Sequence, residues 1–489
     1  MRAIKNSHTA SLTHANRVAR PLNRMPTGAI LSIAMLLIFT LAAWLSENYD
    51  AAAAAGVFLP ILFHYAMWTP RTAHWAAPTP SLVVAGAYGV FFGSGLIKYW
   101  LDDRYLLFQV LPIPAEDIAV VIGSTSVITT CFVIGSYFGS SAKASGPRKR
   151  ADSAVINKPF VFTAFFVGIL AFSGAVLVIA GLGGVNSAAS ALGKHDRTVG
   201  ISIAGSFGSS AWSVFAVPAV ISLSVVYVKF RGKIFGYFAL VQIILLSTIA
   251  LYIFGSRLTL VLAFTGFATV KYVLTGTVMK ARIVLAAFLV LMTATSFVIS
   301  TRDDGQSLGD IEVLDALSYA VLDASMAAYV HTDELQEEFS SGERALTVLS
   351  TAFPKSSASA LEVSEARVDV IVVRKIGNAA QASSSGIPPS LPTFLMIVSG
   401  PIIGAIFGLG LGFLVGVVSS IFFQRRSLLS ALMSGLFVAF VLNSYKGGDI
   451  LLDLGSEARR WAYLALIYGL FWFLFSRRGS GQLGVRNAV

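Results

Sequence analysis

Apolar residues in this chain gather in long unbroken runs, with neither the alternation of a strand nor the one-sided stripe of a surface helix. Twelve runs approach or exceed the ~20 residues that a helix needs to cross a bilayer. They span residues 28–45, 51–68, 81–98, 118–140, 159–181, 209–228, 234–254, 257–273, 282–300, 391–421, 427–443 and 460–476. In lipid, backbone groups are satisfied only within a helix or a closed barrel, and runs of this length without period-two alternation specify helices. The pattern therefore predicts an all-α polytopic integral membrane protein with about twelve transmembrane helices. Composition agrees: 55% of residues are hydrophobic and 12% charged, against about 25% charged in soluble domains.

Charge decides the orientation. Basic residues favour the cytoplasmic side of a membrane. With the N-terminus inside, the inner segments hold 22 of the 36 Lys and Arg residues but only one of the 25 acids, Asp152. Both termini are then cytoplasmic. The net charge of +11 reads as an insertion signal, with no nucleic acid as partner. The chain divides into a basic tail (1–27), nine spans (28–300), a large external segment (301–390), three spans (391–476) and a short cytoplasmic tail (477–489). The basic tail and the run after it read as an uncleaved signal anchor.

An inner face nearly without carboxylates argues against a metal-dependent nucleotide site there, and no GxxxxGKS-type phosphate loop is present. Cys131 is the single cysteine, so there is no internal disulfide and no Cys metal cluster. GxSxG, HExxH and CxxC are absent as well, which leaves hydrolase and zinc-enzyme readings unsupported. Chemistry is expected on the outer side, in or beside 301–390.

That segment begins with a helix predicted from about residue 308, with Ile311, Leu314, Leu317 and Val321 at helical spacing. A second helix is expected at SSGERALTVLSTAF, capped by Ser341 and ended by Pro354. The Ser/Ala/Pro-rich stretch that follows carries Lys355, Arg367, Arg374 and Lys375, and its length suits a lid or binding loop as well as a plain solvated one. The next run has glycine at 400, 404, 408, 412 and 416, a stripe that lets a neighbouring backbone approach closely. Pro392 and Pro401 are expected to separate an external lead-in from the membrane-buried part of that run.

Several external residues are candidates for chemistry. Arg257 lies between apolar runs in LYIFGSRLTLVLAF, where a guanidinium either snorkels to the interface or clamps an anion through two parallel hydrogen bonds. Lys446 in NSYKGGDI, Arg197 in KHDR, Lys355, Arg367 and Arg374 would share that anion-binding role; His195 and His331 are external candidates for a general base. The doubled acids Asp102–Asp103 and Asp303–Asp304 follow apolar runs and read as membrane boundaries. No metal and no cofactor is expected.

In order and sidedness, four elements resemble the Wzy-type O-antigen or oligosaccharide repeat-unit polymerases. They are GSR (255–257), Pro354–Lys355, PPSLPTFLMIVSGPIIGAIFGLGLGFLVG (388–416) and KGGD (446–449). The last stands where family members have an Arg-Gly-Asp-like element, and the Glu-Tyr usual before the glycine-rich span is missing. The resemblance implies a GT-C-like architecture in a bacterial inner membrane. It also implies an undecaprenyl-pyrophosphate-linked glycan as substrate, a chain-length regulator as partner, and cations that stabilise the departing pyrophosphate. An O-antigen ligase, which shares the donor, and a transporter or flippase remain the alternatives. Twelve spans suit many transporters, but no related halves of the transporter kind are found.

The orientation is directly testable. Cysteine placed at Ser383 should react with a membrane-impermeant thiol reagent in intact spheroplasts, and cysteine at Ser145 only after lysis. The opposite labelling would invert the topology.

Overall fold

The computed structural model describes residues 27–68, 77–101, 113–141, 158–193, 206–254, 257–280, 282–284, 321–350, 366–375, 389–423 and 427–483. Among these residues there are sixteen helices and no strand. In chain order they are α1 (Thr27–Leu45), α2 (Tyr49–Trp68), α3 (Pro80–Leu101), α4 (Ala115–Ser141), α5 (Lys158–Gly181), α6 (Val185–Gly193), α7 (Phe207–Lys229) and α8 (Ile234–Tyr252). There follow α9 (Arg257–Thr275), α10 (Val321–Val330), α11 (Thr332–Ser340), α12 (Gly342–Leu349), α13 (Val368–Lys375), α14 (Leu391–Phe423), α15 (Leu428–Gly447) and α16 (Ile450–Leu483). Nine of them, α2–α5, α7–α9, α14 and α15, are long and apolar enough to cross a membrane. Helices α1 and α16 coincide with the first and twelfth apolar runs. The ninth run, 282–300, lies outside the described residues except for 282–284.

Small residues decide how the helices pack, because lipid supplies no hydrophobic force to press one apolar helix on another. The glycine stripe of α14 lies against α4. A Cβ at Gly412 or Gly416 would run into the carbonyl oxygen of Phe132 or Ser136, and one at Gly408 would sit 2.7 Å from that of Ile128. Helix α4 reciprocates: a Cβ at Gly135 or Gly139 would meet the backbone of Leu409 or Phe413. The two backbones are therefore in direct contact over three turns. The same device joins α5 to α7 at Gly174 and Gly208, whereas Gly266 of α9 and Gly435 of α15 face each other across the Ile221 side chain of α7. The opposite face of α14, with Ile402, Ile406, Phe407 and Leu414, is exposed and suits lipid.

One buried cluster joins α2, α3, α4, α14 and the short helices α10, α11 and α13. A second joins α5, α7, α8, α9 and α16. Helix α15 contributes Phe437, Val441 and Tyr445 to the first and Ala431, Leu432, Leu436 and Leu442 to the second. It is the strut between the halves. Many buried hydroxyls inside the bundle turn back onto carbonyls or one another. Tyr88 donates to the Ile122 carbonyl at 2.7 Å, and the Tyr445 and Thr129 hydroxyls lie 2.9 Å apart.

Three findings refine the sequence reading. The expected division of the 391–421 run is a kink within α14, where Gly400 takes φ 76° immediately before Pro401. Proline there removes a backbone donor, and glycine accepts the left-handed turn that breaks the helix axis. The supposed lid loop contains α13, whose Val368, Ile371 and Val372 are buried in the first core. Helix α6, not foreseen, follows Gly183 and Gly184, both at positive φ.

The seam between α4 and α14 makes a sharp prediction. Gly412→Ala forces the two backbones apart and should lower the thermal stability of the detergent-purified protein by about 1–3 kcal/mol. Gly410→Ala meets nothing within 4 Å and should leave it unchanged. Equal melting of the two variants would show that the seam is not tightly packed.

Candidate functional site at the end of the bundle

The end at which α3 and α15 finish and α4, α14 and α16 begin is the end that the charge pattern assigns to the outer face. Helices α10–α13, all from the external segment, pack there. Leu322 of α10 occupies the space left by Gly95 of α3. Ser325 donates to the Pro389 carbonyl at 2.9 Å and accepts from the Thr393 hydroxyl at 2.8 Å, which fastens α10 to the start of α14. Burial, then the carboxylates of Asp117 and Glu116 on α4, raise the Tyr329 phenol above its ordinary range. Every one of these partners sits at the same end of the bundle.

At the centre is a corner between α15 and α16. Helix α15 ends on Gly448, in the left-handed region at φ 71°, the usual way for a helix to close its last carbonyls. Asp449 follows and accepts from the Leu452 backbone N–H at 3.3 Å, capping α16. Its second carboxylate oxygen accepts from Nη2 of Arg344 at 2.5 Å, with the side chains only 5% and 6% exposed. Arg344 is placed by α12: the Ser341 hydroxyl caps that helix by accepting from the Arg344 backbone N–H, and Arg344 shares its buried face with Val348 one turn on. The guanidinium lies 5.8 Å from the ring centres of both Phe339 and Phe394, a cation–π arrangement. Its Nε is buried without a hydrogen-bond partner.

One turn deeper, Asp453 is buried in the first turn of α16, ahead of that helix's apolar stretch. The Asn443 amide donates to it at 2.5 Å. Burial pushes its carboxyl up to about 7, against the opposing influence of the Ser444 hydroxyl and of Arg460, with Asp449 and Glu457 adding to the rise. Arg460 pairs with Glu457 and donates to the Ser213 carbonyl at 3.0 Å, tying α16 to the start of α7. Among the described residues no group of three His, Cys, Asp or Glu side chains could hold a metal ion.

Of the residues singled out from sequence, Lys446 lies half-buried in the last turn of α15, three positions before Asp449. Arg257 opens α9. It stands nine residues before Gly266, and Ser444 stands nine after Gly435, where those glycines face each other. At about 1.5 Å per residue on antiparallel helices, Arg257 and Ser444 start at about the same depth. Arg367 precedes α13 and Arg374 lies in it, and α13 packs on α10 and α11. His331, at the junction of α10 and α11, has Nδ1 3.9 Å from the Glu334 carboxylate. Arg257, His331, Arg367, Arg374 and Lys446 thus belong to one end of the bundle; His195, Arg197 and Lys355 lie outside the described residues. The sequence reading missed Arg344 and Asp453. The available signal for Arg344 was its phase: the Ser341 cap and Val348 place an arginine on the apolar face of α12. His64, noted in the second run, is a satisfied core residue, 3.2 Å from the Ser81 hydroxyl.

Comparison of the chain with protein-family models, curated proteins and solved structures gives no match. The residues alone carry any functional reading.

Asp453 gives this end of the bundle a pH signature. Its native carboxyl holds its proton up to about 7, whereas the unfolded one releases it near 4. The native state therefore binds more protons between those values, and stability falls as pH rises from about 4 to 7. The loss is on the order of a few kcal/mol. Asp453→Asn should flatten the dependence of melting temperature on pH in that window and melt higher than the parent at pH 8. Parallel pH profiles for the two proteins would contradict the assignment.

Proposed function

We propose that this protein joins undecaprenyl-pyrophosphate-linked oligosaccharide repeat units into a surface polysaccharide at the outer face of a bacterial inner membrane. The observation that carries the reading is the meeting of family-like elements at one end of the bundle. The KGGD element ends α15, and its Asp449 is paired with Arg344 of the external segment. The GSR arginine opens α9 at about that depth, and the element preceding the glycine-rich span leads into α14 beside them. The KGGD element, the lead-in at Ser390 and Arg344 meet at the corner, the GSR arginine stands at about its depth, and Pro354–Lys355 lies outside the described residues.

The chemistry suits such a place. A donor energised before export needs no ATP on the outer side. The acceptor hydroxyl attacks the anomeric carbon, the glycosyl–phosphate C–O bond breaks, and the electron pair leaves with the lipid pyrophosphate. Fixed guanidinium and ammonium groups stabilise the charge that grows on the leaving oxygen. Arg257 and Lys446 are assigned to that task, with Arg197, Lys355, Arg367 and Arg374 as further contributors. The proton of the attacking hydroxyl goes to His195 or His331. Lysine at 446, where the family has arginine, gives a point charge in place of a planar fork.

Purified protein supplied with lipid-linked repeat units should build a ladder of longer lipid-linked glycans. Arg257→Ala should slow elongation about 10- to 150-fold, the equivalent of one charge-assisted hydrogen bond of 1.5–3 kcal/mol made in the transition state. Arg257→Lys should slow it less, with membrane protein levels unchanged in both. Failure of the parent protein to elongate, or transfer of finished chains to a lipid A core, would replace the polymerase reading.

A further inference from the structure

We infer that the Arg344–Asp449 pair is the clasp of a hinged roof, in which α12, hinged on the end of α11, opens and closes over the α15–α16 corner. The inference goes beyond the glycosyl-transfer reading and does not require it.

Four observations converge on the pair. It joins residues 105 positions apart across two helix starts, N3 of α12 and the cap of α16. Helix α12 itself packs chiefly on α11 and on the beginning of α16. Apolar contact holds it weakly: only Arg344 and Val348 are buried, and Leu346 is 72% exposed. The ion pair is thus the main specific link between α12 and the bundle.

The pair is also incompletely satisfied. A buried ion pair offsets its desolvation only when its remaining hydrogen bonds are made, yet Nε of Arg344 is buried without an acceptor. A guanidinium and carboxylate buried in this way hold the roof by charge rather than by shape, and charge can be released into water with little rearrangement of side chains. The rings of Phe339 and Phe394, 5.4 Å apart, flank the guanidinium from the roof and the floor. They can stay together as the hinge side while α12 lifts. Beside the pair, at the α15–α16 corner, lie the buried side chains of Ser444 and Asp453.

The test uses a reporter cysteine at that buried corner. In full-length protein with Cys131→Ala, Ser444→Cys is nearly isosteric and sits at a position 3% exposed. A membrane-impermeant maleimide should label it slowly. Adding Asp449→Asn, or separately Arg344→Gln, should raise the labelling rate tenfold or more. A second reporter, Thr125→Cys, lies deep between α3 and α4 at a fully buried position and should remain unlabelled in every background. Unchanged labelling at 444 would overturn the clasp. Labelling at 125 in the pair-breaking variants would overturn it too, because the pair would then support the whole fold. Labelling requires no glycan substrate, so this result stands apart from any failure of polymerisation.

Discussion

Where Gly408, Gly412 and Gly416 of α14 lie on the carbonyls of Ile128, Phe132 and Ser136, two membrane helices touch backbone to backbone, and the remaining geometry follows from that contact. Apolar helices in lipid gain nothing from simple burial, so close van der Waals contact and carbonyl dipoles at short range must select the partner. With α14 fixed on α4, the kink at Gly400–Pro401 sets the direction of the lead-in from Leu391. Phe394 and Thr393 are on that lead-in, and they in turn seat α10 and the guanidinium of Arg344. A steric rule inside the bundle therefore positions polar groups at its end.

The end of the bundle obeys different physics. Arg344, Asp449 and Asp453 are nearly removed from water, and each must be compensated locally. Asp449 has a guanidinium and a helix N-terminus; Asp453 has an amide and keeps its proton to about neutrality. Apolar side chains of similar size would often be at least as stable in such places. Charged groups held at that cost under a cover of short helices are what a site requires when it must bind or release something ionic. Among the short helices α12 is the least embedded, with only Arg344 and Val348 buried, whereas α10 is buried from Val321 to Ala328.

The positions of the long apolar helices were legible because hydrophobic length is a property of local sequence. Eleven of the twelve apolar runs are occupied by helices, ten with ends near the expected ones and the twelfth within the longer Ile450–Leu483; the other run lies almost wholly outside the described residues. The Ser341 cap and the break at Pro401 were legible for the same reason. Helix α13 was not: VDVIVVRK is rich in β-branched residues that disfavour an isolated helix, and burial of its Val and Ile side chains overrides that preference. The KGGD element contains Asp449, but its partner could not be read, since no local pattern links Arg344 to a carboxylate 105 residues away.

By itself the sequence determined the class of fold, the long apolar helices, the asymmetry of charge along the chain, and which helix would present a glycine face. These depend on the chemistry of neighbouring residues and on the solvent each segment tolerates. Tertiary structure alone decided that α4 would receive the glycine face, that α15 would bridge two cores, and that Arg344 would meet Asp449. Those outcomes depend on which surfaces fit at contact distance, and complementarity between distant segments exists only once the chain has brought them together.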